Sequence, residues 1–389
     1  MKIFAYFQVH QPLRLKKFSL FEDSQELYSR YFDFGLAEAI MKKVAAKCYL
    51  PTNHVLLELL DKHPEFKVNF SVTGVFMEQA TMFAPEVADS FRELARHKNV
   101  EFLAETYYHS LASLYPEKLE FITQVAKHAD MLRGMGQQPK VFRNTELIYS
   151  NEIASIAESM GYLGILCEGV DWLGKSPNQA YVPQTCSNIK LLMRNYTLSD
   201  DVGYRFSARS WNHYPLTADK YSSWLSANQG ECTNIFVDYE TFGEHHWEDT
   251  GIREFLRHLP NEVSKHRHLK FANASEVAAL HAQDRVDVPS VISWADAERD
   301  TSAWLGNEMQ RTCFNEVREI GDLLKENGTE ELLHVWRLLQ TSDHLYYLST
   351  KSMSDQDVHN YFSPYESPFD AFINFMNIIR DFRRVAESR

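Results

Sequence analysis

Acidic residues directly follow an apolar run in the segment "IFVDYETFGEHHW", which spans residues 235–247. Asp238 ends the run, and Glu240 comes two residues later. Another acid, Glu146, lies in "FRNTELIYSN" at residues 142–151. Paired carboxyl groups suit cleavage of a glycosidic bond, because one protonates the leaving oxygen while the other attacks or stabilises the anomeric carbon. These acids therefore predict a glycosidase, with Glu240 as a partner of Asp238 rather than a third catalyst.

Polar residues follow other apolar runs as well. They are Gln8, His10 and Gln11 after the first run, Glu105, Tyr107, Tyr108 and His109 after the third, and Arg143, Asn144 and Glu146 after the fourth. In a parallel α/β barrel the loops after the strands form the active site, so we expect these side chains to lie together. Trp and Tyr rings also pack against sugars. Trp172 and Trp211 are candidate sugar platforms, with core packing as the equal alternative.

The elements that must position these residues are indicated by recurring short apolar runs. They are "KIFAYF" at 2, "FKVNFSV" at 66, "VEFLAE" at 100, "KVFRN" at 140, "LGILCE" at 163, "IKLLMR" at 189 and "TNIFVD" at 233. A segment of helical character follows each run, which predicts a parallel α/β sheet. In "SNEIASIAESMG", Ser150 or Asn151 is the predicted helix cap and Gly161 the stop. Seven such strands favour a closed or nearly closed barrel, and a doubly wound sheet is the alternative.

After about residue 290 the strand pattern ends and helical patterns follow, which predicts a barrel over 1–290 and a helical region over 291–389. In the middle helical stretch, Leu332, Trp336, Leu339, Asp343 and Tyr346 follow helical spacing. Asp343 is therefore expected on the buried stripe. A buried carboxylate needs polar partners, so it is either hydrogen-bonded inside the helical region or faces a polar cleft.

Composition excludes several classes of protein. The net charge of −13 disfavours binding to nucleic acid, and five scattered cysteines without C-x-x-C spacing disfavour disulfide and zinc-cysteine frameworks. The apolar run at the N-terminus stops at Gln8, too early for a signal peptide, and no run reaches the length of a membrane span. We therefore expect a cytoplasmic protein that has no membrane partner. Oligomeric state is not predicted.

Five motifs together resemble those of a known protein family. They are "HQP" at 10–12, "ETYYHS" at 105–110, "FRNTELIYSN" at 142–151, "DYETFGEHHW" at 238–247 and "WADAERDTSAWLGNEMQ" at 294–310. In this order they resemble glycoside hydrolase family 57, and most closely its α-amylase branch. The resemblance covers nearly the whole chain, and "D-x-E-x-F-G" after a strand is its most specific part.

The resemblance implies an incomplete seven-stranded parallel (β/α) barrel, followed by a helical region that completes the active-site cleft. It implies action on α-1,4-glucans with retention of anomeric configuration, without a metal or cofactor. By motif, Glu146 matches the nucleophile and Asp238 the general acid/base. The predicted substrate contacts are His10, His109, Trp172, Trp211, Phe242 and Asp343. This chain departs from the family at Gln8, where a histidine is frequent, and in the second motif, where a Gly-rich stretch ending in Glu-Pro is frequent.

Three alternatives remain at this stage. The same two carboxylates also serve glucanotransferase and branching reactions, in which a sugar replaces water as acceptor. A metal-dependent carbohydrate enzyme would use His10, His109 and Asp238 as ligands, although Gln8 stands where a first ligand of a His-x-His pair would fall. A glucan-binding protein without activity is the third alternative, and the intact carboxylate pair disfavours it.

Overall fold

The computed structural model describes residues 1–19, 24, 26–351 and 363–388. Both predicted regions, 1–290 and 291–389, extend over residues outside this set. Among the described residues, no helix is both long enough and apolar enough to cross a lipid bilayer.

All seven apolar runs contain a strand, which confirms the predicted strand positions. These strands are β1 (Lys2–Val9), β2 (Val68–Val72), β3 (Val100–Phe102), β4 (Val141–Phe142), β5 (Gly164–Cys167), β7 (Lys190–Met193) and β8 (Cys232–Asp238). Three further short strands were not predicted: β6 (Ala180–Pro183), β9 (Lys270–Phe271) and β10 (Arg285–Val286). With only two to four residues each, they are too short to show an alternating pattern.

The strands form two sheets, with the order β3-β2-β1-β8 in one and β10-β6-β7-β5-β4 in the other, and β9 pairs with β1. All pairs are parallel except β6 with β7. The fold is therefore α/β with one parallel and one mixed sheet. The seven predicted strands pair with one another in parallel, and the antiparallel pair involves β6, which was not predicted. The exception has a physical reason, because β6 and β7 are joined by a short connection that permits antiparallel pairing, whereas parallel neighbours need a long crossover.

Side chains from both sheets share one interior cluster. It includes Phe4 and Tyr6 of β1, Phe236 of β8, Leu166 of β5 and Leu192 of β7. The Phe4 and Phe236 ring centroids lie 5.1 Å apart, and those of Tyr6 and Phe236 lie 5.4 Å apart. An isolated parallel bridge between Ala104 and Phe142 also joins the edges at β3 and β4. The two sheets therefore enclose a common core.

Helices connect the strands and cover the sheets. In the first three quarters of the chain they are α1 (Leu27–Tyr31), α2 (Phe34–Val44), α3 (Leu50–Lys62), α4 (Gly74–Phe83), α5 (Pro85–Arg96), α6 (Leu119–Gly134), α7 (Asn151–Ser159), α8 (Tyr196–Gly203), α9 (Ala218–Ala227), α10 (Ile252–Ser264) and α11 (Ala274–Ala278), with a π-helical turn at Ala45–Tyr49. The Ser150 side chain caps α7 by accepting a hydrogen bond from the Ile153 N–H. This confirms the predicted cap of that helix.

The described part of the C-terminal region is helical, as predicted. Its helices are α12 (Ser302–Leu305), α13 (Glu308–Asn327), α14 (Glu330–Leu339), α15 (Ser342–Tyr346) and α16 (Pro368–Ser388). The stripe predicted for one helix is divided between α14 and α15. The break is at Thr341, whose hydroxyl donates to the Tyr108 carbonyl, while the Ser342 N–H donates to the His109 carbonyl. These bonds to the loop after β3 end α14 and turn α15 toward the sheets.

Candidate active site

A cavity of about 520 Å³ opens at the carboxyl ends of the strands, against the helical region. Among the predicted site residues it brings together Glu146, Asp238, His10, His109 and Asp343. It is also lined by Gln8, Arg143, Tyr204, Glu240, His245, Trp294, Asp296, Arg299 and Tyr346. The structure therefore gathers both predicted catalytic acids and three of the six predicted substrate contacts in one place.

Strand register positions Asp238 at this edge. Gln8 of β1 is paired with Asp238 of β8 on one side and with Ser71 of β2 on the other, so the three strands end level with one another. After Asp238 the chain turns into a 3-10 helix at Tyr239–Phe242. The acid is thus the last residue held by the sheet.

Glu146 is held in an uncommon backbone conformation. Its φ of 57° and ψ of 27° lie in the left-handed region, and φ at the next residue, Leu147, is 50°. His109 has a φ of 51°. Side chains other than glycine adopt this region at a cost, and such residues cluster at functional sites where the surroundings hold them. Two facing residues of the cavity share this strain.

The Glu146 carboxylate has three polar neighbours. Its Oε1 lies 3.0 Å from His109 Nε2 and accepts a hydrogen bond from the Ser342 hydroxyl at 3.4 Å, and its Oε2 accepts one from Trp294 Nε1 at 2.8 Å. Burial alone would raise the pKa of Glu146, but the His109 hydrogen bond and charge, with smaller contributions from Arg143 and Trp294, lower it below its usual value. Glu146 is therefore ionised near neutral pH.

His109 bridges two carboxylates. Its Nδ1 lies 3.3 Å from Oε2 of Glu105, a fully buried acid that also accepts a hydrogen bond from the Ser71 hydroxyl at 2.6 Å. Burial would lower the pKa of His109, but the bonds to Glu105 and Glu146 raise it to about 9. Glu105 is held ionised in the same way, because His109 and Arg143 outweigh its burial and lower its pKa to about 2. The imidazolium thereby fixes Glu146 from one side.

The carboxyl group of Asp238 differs from that of Glu146 in its hydrogen bonds and in its pKa. Within the part of the chain that the structure describes, no group donates a hydrogen bond to its carboxyl oxygens. Burial, and then the negative charge of Glu146, raise its pKa to about 6, against the smaller opposite effects of Arg143 and Arg194. The two acids of the cavity therefore differ, with Glu146 ionised and Asp238 able to carry a proton near neutral pH.

Glu240 also lines the cavity, and its carboxyl group is bound by a residue that lies outside the cavity lining. Its Oε1 accepts a hydrogen bond from the Tyr49 hydroxyl at 2.5 Å. Burial, and then the charge of Asp238, raise the pKa of Glu240 to about 8, so this carboxyl group is largely protonated at pH 7. A neutral Glu240 adds little negative charge beside Asp238. This agrees with its predicted place as a partner acid.

The helical region reaches the cavity through Asp343. Asp343 Oδ2 lies 3.1 Å from His10 Nε2, and His10 Nδ1 lies 2.9 Å from the Thr73 hydroxyl. The His10 and His109 rings are stacked, with centroids 4.0 Å apart. Although burial would raise the pKa of Asp343, His10 and then His109 lower it. Of the two predicted settings for Asp343, the structure shows the polar cleft.

Arg143 and Trp294 form the wall behind Glu146. The Arg143 side chain is fully buried, and its Cζ lies 5.0 Å from the Trp294 ring centroid, while Arg194 Cζ lies 5.7 Å from it. Arg143 Nη1 lies 3.7 Å from Glu105, and none of the three guanidinium nitrogens has a hydrogen-bond partner among the described residues. A cation in this position favours negative charge on Glu146.

Three predicted substrate contacts lie outside the cavity. Phe242 is in the core, where its ring packs edge-to-face on Phe7 with centroids 5.3 Å apart. Trp211 packs against Trp224 with centroids 6.0 Å apart. Trp172 is exposed and does not line this cavity. The structure corrects the placement of Phe242, because the turn after Asp238 directs its ring inward. Trp211 shows the packing given as the alternative, and sugar contact by Trp172 stays a prediction.

Several cavity residues were not assigned a role from the sequence. Arg143 was noted only as a polar residue at a strand end, and Trp294 only as the first residue of the last motif. Asp296 and Arg299 were part of the same motif without a role of their own, Tyr346 was noted only on the helical stripe, and Tyr204 had no recognised signal. Next to the cavity residue His245, His246 is buried, and its Nδ1 lies 2.8 Å from the Ser207 hydroxyl. Motif membership was the one available signal for Trp294 and Arg299.

The arrangement supplies an ionised carboxylate, Glu146, and a carboxyl group with a raised pKa of about 6, Asp238, lining one cavity. Such a pair can donate a proton and a nucleophile to opposite ends of a breaking bond. In the described ranges, no three His, Cys, Asp or Glu side chains are arranged to hold a metal ion.

Comparison with known proteins gives consistent findings. The model of glycosyl hydrolase family 57 matches residues 4–291. A Methanocaldococcus jannaschii protein described as "Putative alpha-amylase" is 50% identical over 98% of this chain and 84% of its own length. A branching enzyme from Thermococcus kodakaraensis aligns with a TM-score of 0.71 and 13% identity, over 99% of this chain and 90% of that enzyme. A 4-α-glucanotransferase from Thermococcus litoralis aligns with a TM-score of 0.60 and 17% identity, over 93% of this chain but 54% of that one.

Proposed function

Because this chain belongs to glycosyl hydrolase family 57, we propose that it cleaves α-1,4-linked glucans by double displacement with retention of anomeric configuration. The observation that carries this proposal is the pair of acids in one cavity with opposite pKa shifts, lowered at Glu146 and raised to about 6 at Asp238. The 50% identity to a relative described as "Putative alpha-amylase" supports the substrate class.

In the first step, Glu146 attacks the anomeric carbon while Asp238 donates its proton to the leaving glycosidic oxygen. The bond from carbon to that oxygen breaks, a glycosyl ester forms on Glu146, and the shortened glucan leaves as an alcohol. In the second step Asp238, now ionised, takes a proton from water, and the resulting hydroxide attacks the same carbon and releases Glu146. Two displacements restore the original configuration.

The groups around Glu146 are positioning residues in this proposal. His109 and Trp294 bind its two oxygens separately, so they hold the carboxylate in one orientation. Both donors stabilise the ionised form, which is the attacking form. His10, His109 and Asp343 line the cavity and are proposed to contact the sugar. Both ring nitrogens of each histidine already meet protein groups, so we propose that the Asp343 carboxylate binds a sugar hydroxyl and that the stacked imidazole rings contact the sugar by packing.

Replacing Trp294 with Phe tests the positioning of Glu146. Phe keeps a ring between Arg143 and Arg194 but removes the indole N–H, so the pKa of Glu146 rises. We expect the acidic limb of kcat/KM to move upward by roughly one pH unit, and kcat/KM to fall about tenfold. The measurement is a pH–rate profile of both proteins.

The matched control is Trp336→Phe. Trp336 is buried in the helical region and donates its indole N–H to the Val317 carbonyl at 2.7 Å. Its loss should lower thermal stability while leaving the acidic limb in place. Identical profiles for Trp294→Phe and the unmodified enzyme would show that this indole does not position Glu146.

Replacing Asp343 with Asn tests whether the helical region takes part in substrate binding. Asn keeps the size but loses the charge that pairs with His10, so we expect kcat/KM to fall roughly ten- to hundredfold. Melting temperature should change little, because the side chain faces a cavity rather than the core. Both quantities are measured on the same variant.

Asp381→Asn provides the matched control, since Asp381 is a structural acid of the same helical region. It pairs with Arg30 at 2.7 Å and accepts a hydrogen bond from the Tyr31 hydroxyl at 2.9 Å. Its change should lower the melting temperature by about 2–4 °C and spare turnover. The opposite pattern, with Asp343→Asn unstable but active, would make Asp343 structural.

We further propose that seven parallel strands, β1, β2, β3, β4, β5, β7 and β8, make up an incomplete barrel within residues 1–290, and that the helices within 291–389 complete the cleft. The Ala104–Phe142 bridge supports continuity on one side. On the other side, the Asn195 N–H donates to the Asn234 carbonyl at 2.8 Å. A cytoplasmic location is part of the same proposal.

Product analysis on maltoheptaose tests the proposed reaction. Hydrolysis predicts only products shorter than seven units, with the α-anomer formed first. A glucanotransferase or branching enzyme would also form longer or branched products, because a sugar hydroxyl replaces water in the second step. The absence of any product would contradict both reactions, and activity lost on exhaustive chelation would favour the metal-dependent alternative.

A further inference from the structure

A second cavity, of about 530 Å³, lies on the other side of the loop that lines the catalytic one. Its walls include Lys47, His54, Trp247, Glu248, Asp249 and Arg253. The loop at residues 243–247 contributes to the walls of both cavities, since His245 lines the catalytic cavity and Trp247 lines the second. Consecutive Cα atoms are about 3.8 Å apart, so these two residues lie within about 8 Å of each other.

Trp247 presents an open ring to this second cavity. It is 59% exposed, whereas Trp304 and Trp336 are 1% and 5% exposed. Lys47 Nζ lies 5.2 Å from its ring centroid, which holds the indole at the cavity wall. A single exposed aromatic residue is ordinary, but one placed in a concavity with polar groups around it is the arrangement that binds sugar rings.

The walls of the second cavity are fixed in position. Gly243 has a φ of 149°, and a Cβ built there would lie 2.1 Å from the Lys47 carbonyl oxygen. The loop therefore packs directly on the π-helical turn at Ala45–Tyr49. Arg253 Nη1 donates to the same Lys47 carbonyl at 2.9 Å, and the Thr52 hydroxyl donates to the Phe242 carbonyl at 3.0 Å. A glycine at position 243 is required for this contact.

The charges in the cavity are compensated. Arg253 pairs with Glu248 at 2.9 Å, and Arg257, which also lines the cavity, pairs with Glu58 at 2.5 Å. The third cation of the lining, Lys47, lies over the Trp247 ring, and Asp249 adds a further negative charge to the lining. The surface therefore offers hydrogen-bond donors and acceptors without a strong net charge. It suits a neutral, hydroxyl-rich ligand better than an anion.

We propose that this second cavity binds an α-glucan chain at a distance from the cleavage point, with a glucose ring packed on Trp247. A long chain then occupies both cavities across the loop at 243–247, whereas a short oligosaccharide fills only the catalytic one. The choice of α-glucan as ligand rests on the proposed function. Occupation of a second site raises affinity for long chains through effective concentration.

The test compares ligand length in two variants, Trp247→Ala and the control Phe369→Ala. Phe369 is an exposed aromatic residue (63%) on α16, away from both cavities. Both changes are made with Glu146→Gln present, so that ligand is not consumed, and binding of soluble amylose and of maltotriose is measured by calorimetry. We expect Trp247→Ala to weaken amylose binding about tenfold and to leave maltotriose binding unchanged. Phe369→Ala should change neither.

Each other outcome decides the question. Equal amylose affinity in the two variants would overturn the proposal, and so would an equal loss for amylose and maltotriose, which would place Trp247 in the catalytic cavity. Failure of the Glu146→Gln protein itself to bind amylose would also overturn it. Amylose binding that depends on Trp247, in a protein that cleaves no glucan, would support the second site while contradicting the proposed hydrolase activity.

Discussion

Glu146→Gln is expected to reduce turnover of maltoheptaose at least about a thousandfold, because the amide cannot form the glycosyl ester. Gln keeps the size of the side chain. Its one carbonyl oxygen can accept the hydrogen bond from Trp294 Nε1, while its NH2 group then faces His109 Nε2, which can accept when the imidazole is neutral. Glu146 already adopts the left-handed backbone conformation at this position, and the Gln side chain has the same shape as the Glu side chain. The fold and oligosaccharide binding should therefore persist, as measured by melting temperature and calorimetry.

The matched control is Glu152→Gln. Glu152 lies six residues later, in the first turn of α7, where its side chain is 64% exposed and pairs with Lys118 at 3.1 Å. It should retain full turnover. Addition of azide to Glu146→Ala gives a further result, because azide can attack the anomeric carbon directly in place of the missing carboxylate. We expect a β-glucosyl azide, and formation of the α-azide would contradict the nucleophile assignment.

Asp238→Asn is expected to lower turnover by a factor that depends on the leaving group of the substrate. With maltoheptaose, whose leaving oxygen needs a proton, we expect turnover to fall about a hundred- to ten-thousandfold. With α-maltotriosyl fluoride, which leaves without protonation, the first step should proceed at nearly the rate of the unmodified enzyme. Pre-steady-state fluoride release measures that step, and an equal loss on both substrates would show that Asp238 is not the acid.

The pH dependence of kcat/KM tests the same assignment of Asp238 as the acid. Asp238 must be protonated in the first step, so kcat/KM should fall as pH rises through about 6, which is the raised pKa of this group. The limb should disappear from the residual activity of Asp238→Asn on maltoheptaose, and it should be absent when the unmodified enzyme cleaves α-maltotriosyl fluoride, whose leaving group needs no proton. Glu231→Gln, at the amino end of the same strand, is the control and should leave the limb unchanged. A limb that persists in Asp238→Asn would have another origin.

The sequence predicted the two acids and their strands because both are local features. Asp238 is the last of the seven residues of β8, and register with β1 then fixes its place. The bond between His109 and Glu146 spans 37 residues, and that between His10 and Asp343 spans 333. Contacts between residues so far apart in the sequence depend on how the helices and strands pack. The hydrophobic periodicity of the sequence carries no information about that packing.

The errors have specific physical causes. Phe242 was grouped with Asp238 by motif, but the strand ends at Asp238 and a 3-10 turn directs the ring to the core. The stripe through Asp343 was treated as one helix, although tertiary hydrogen bonds at Thr341 and Ser342 break it. Trp294 was overlooked as a group binding Glu146, because its segment has neither helical nor strand periodicity.

Mass spectrometry of Asp238→Asn treated with α-maltotriosyl fluoride tests the central claim most directly. The first step needs no acid with this substrate, and the second step lacks its base, so the covalent intermediate should accumulate. We predict a maltotriosyl ester on the peptide that contains Glu146, with the fold unchanged. An ester on any other residue, or steady release of β-maltotriose without an ester, would contradict the assignment of Glu146 as the nucleophile of a retaining enzyme.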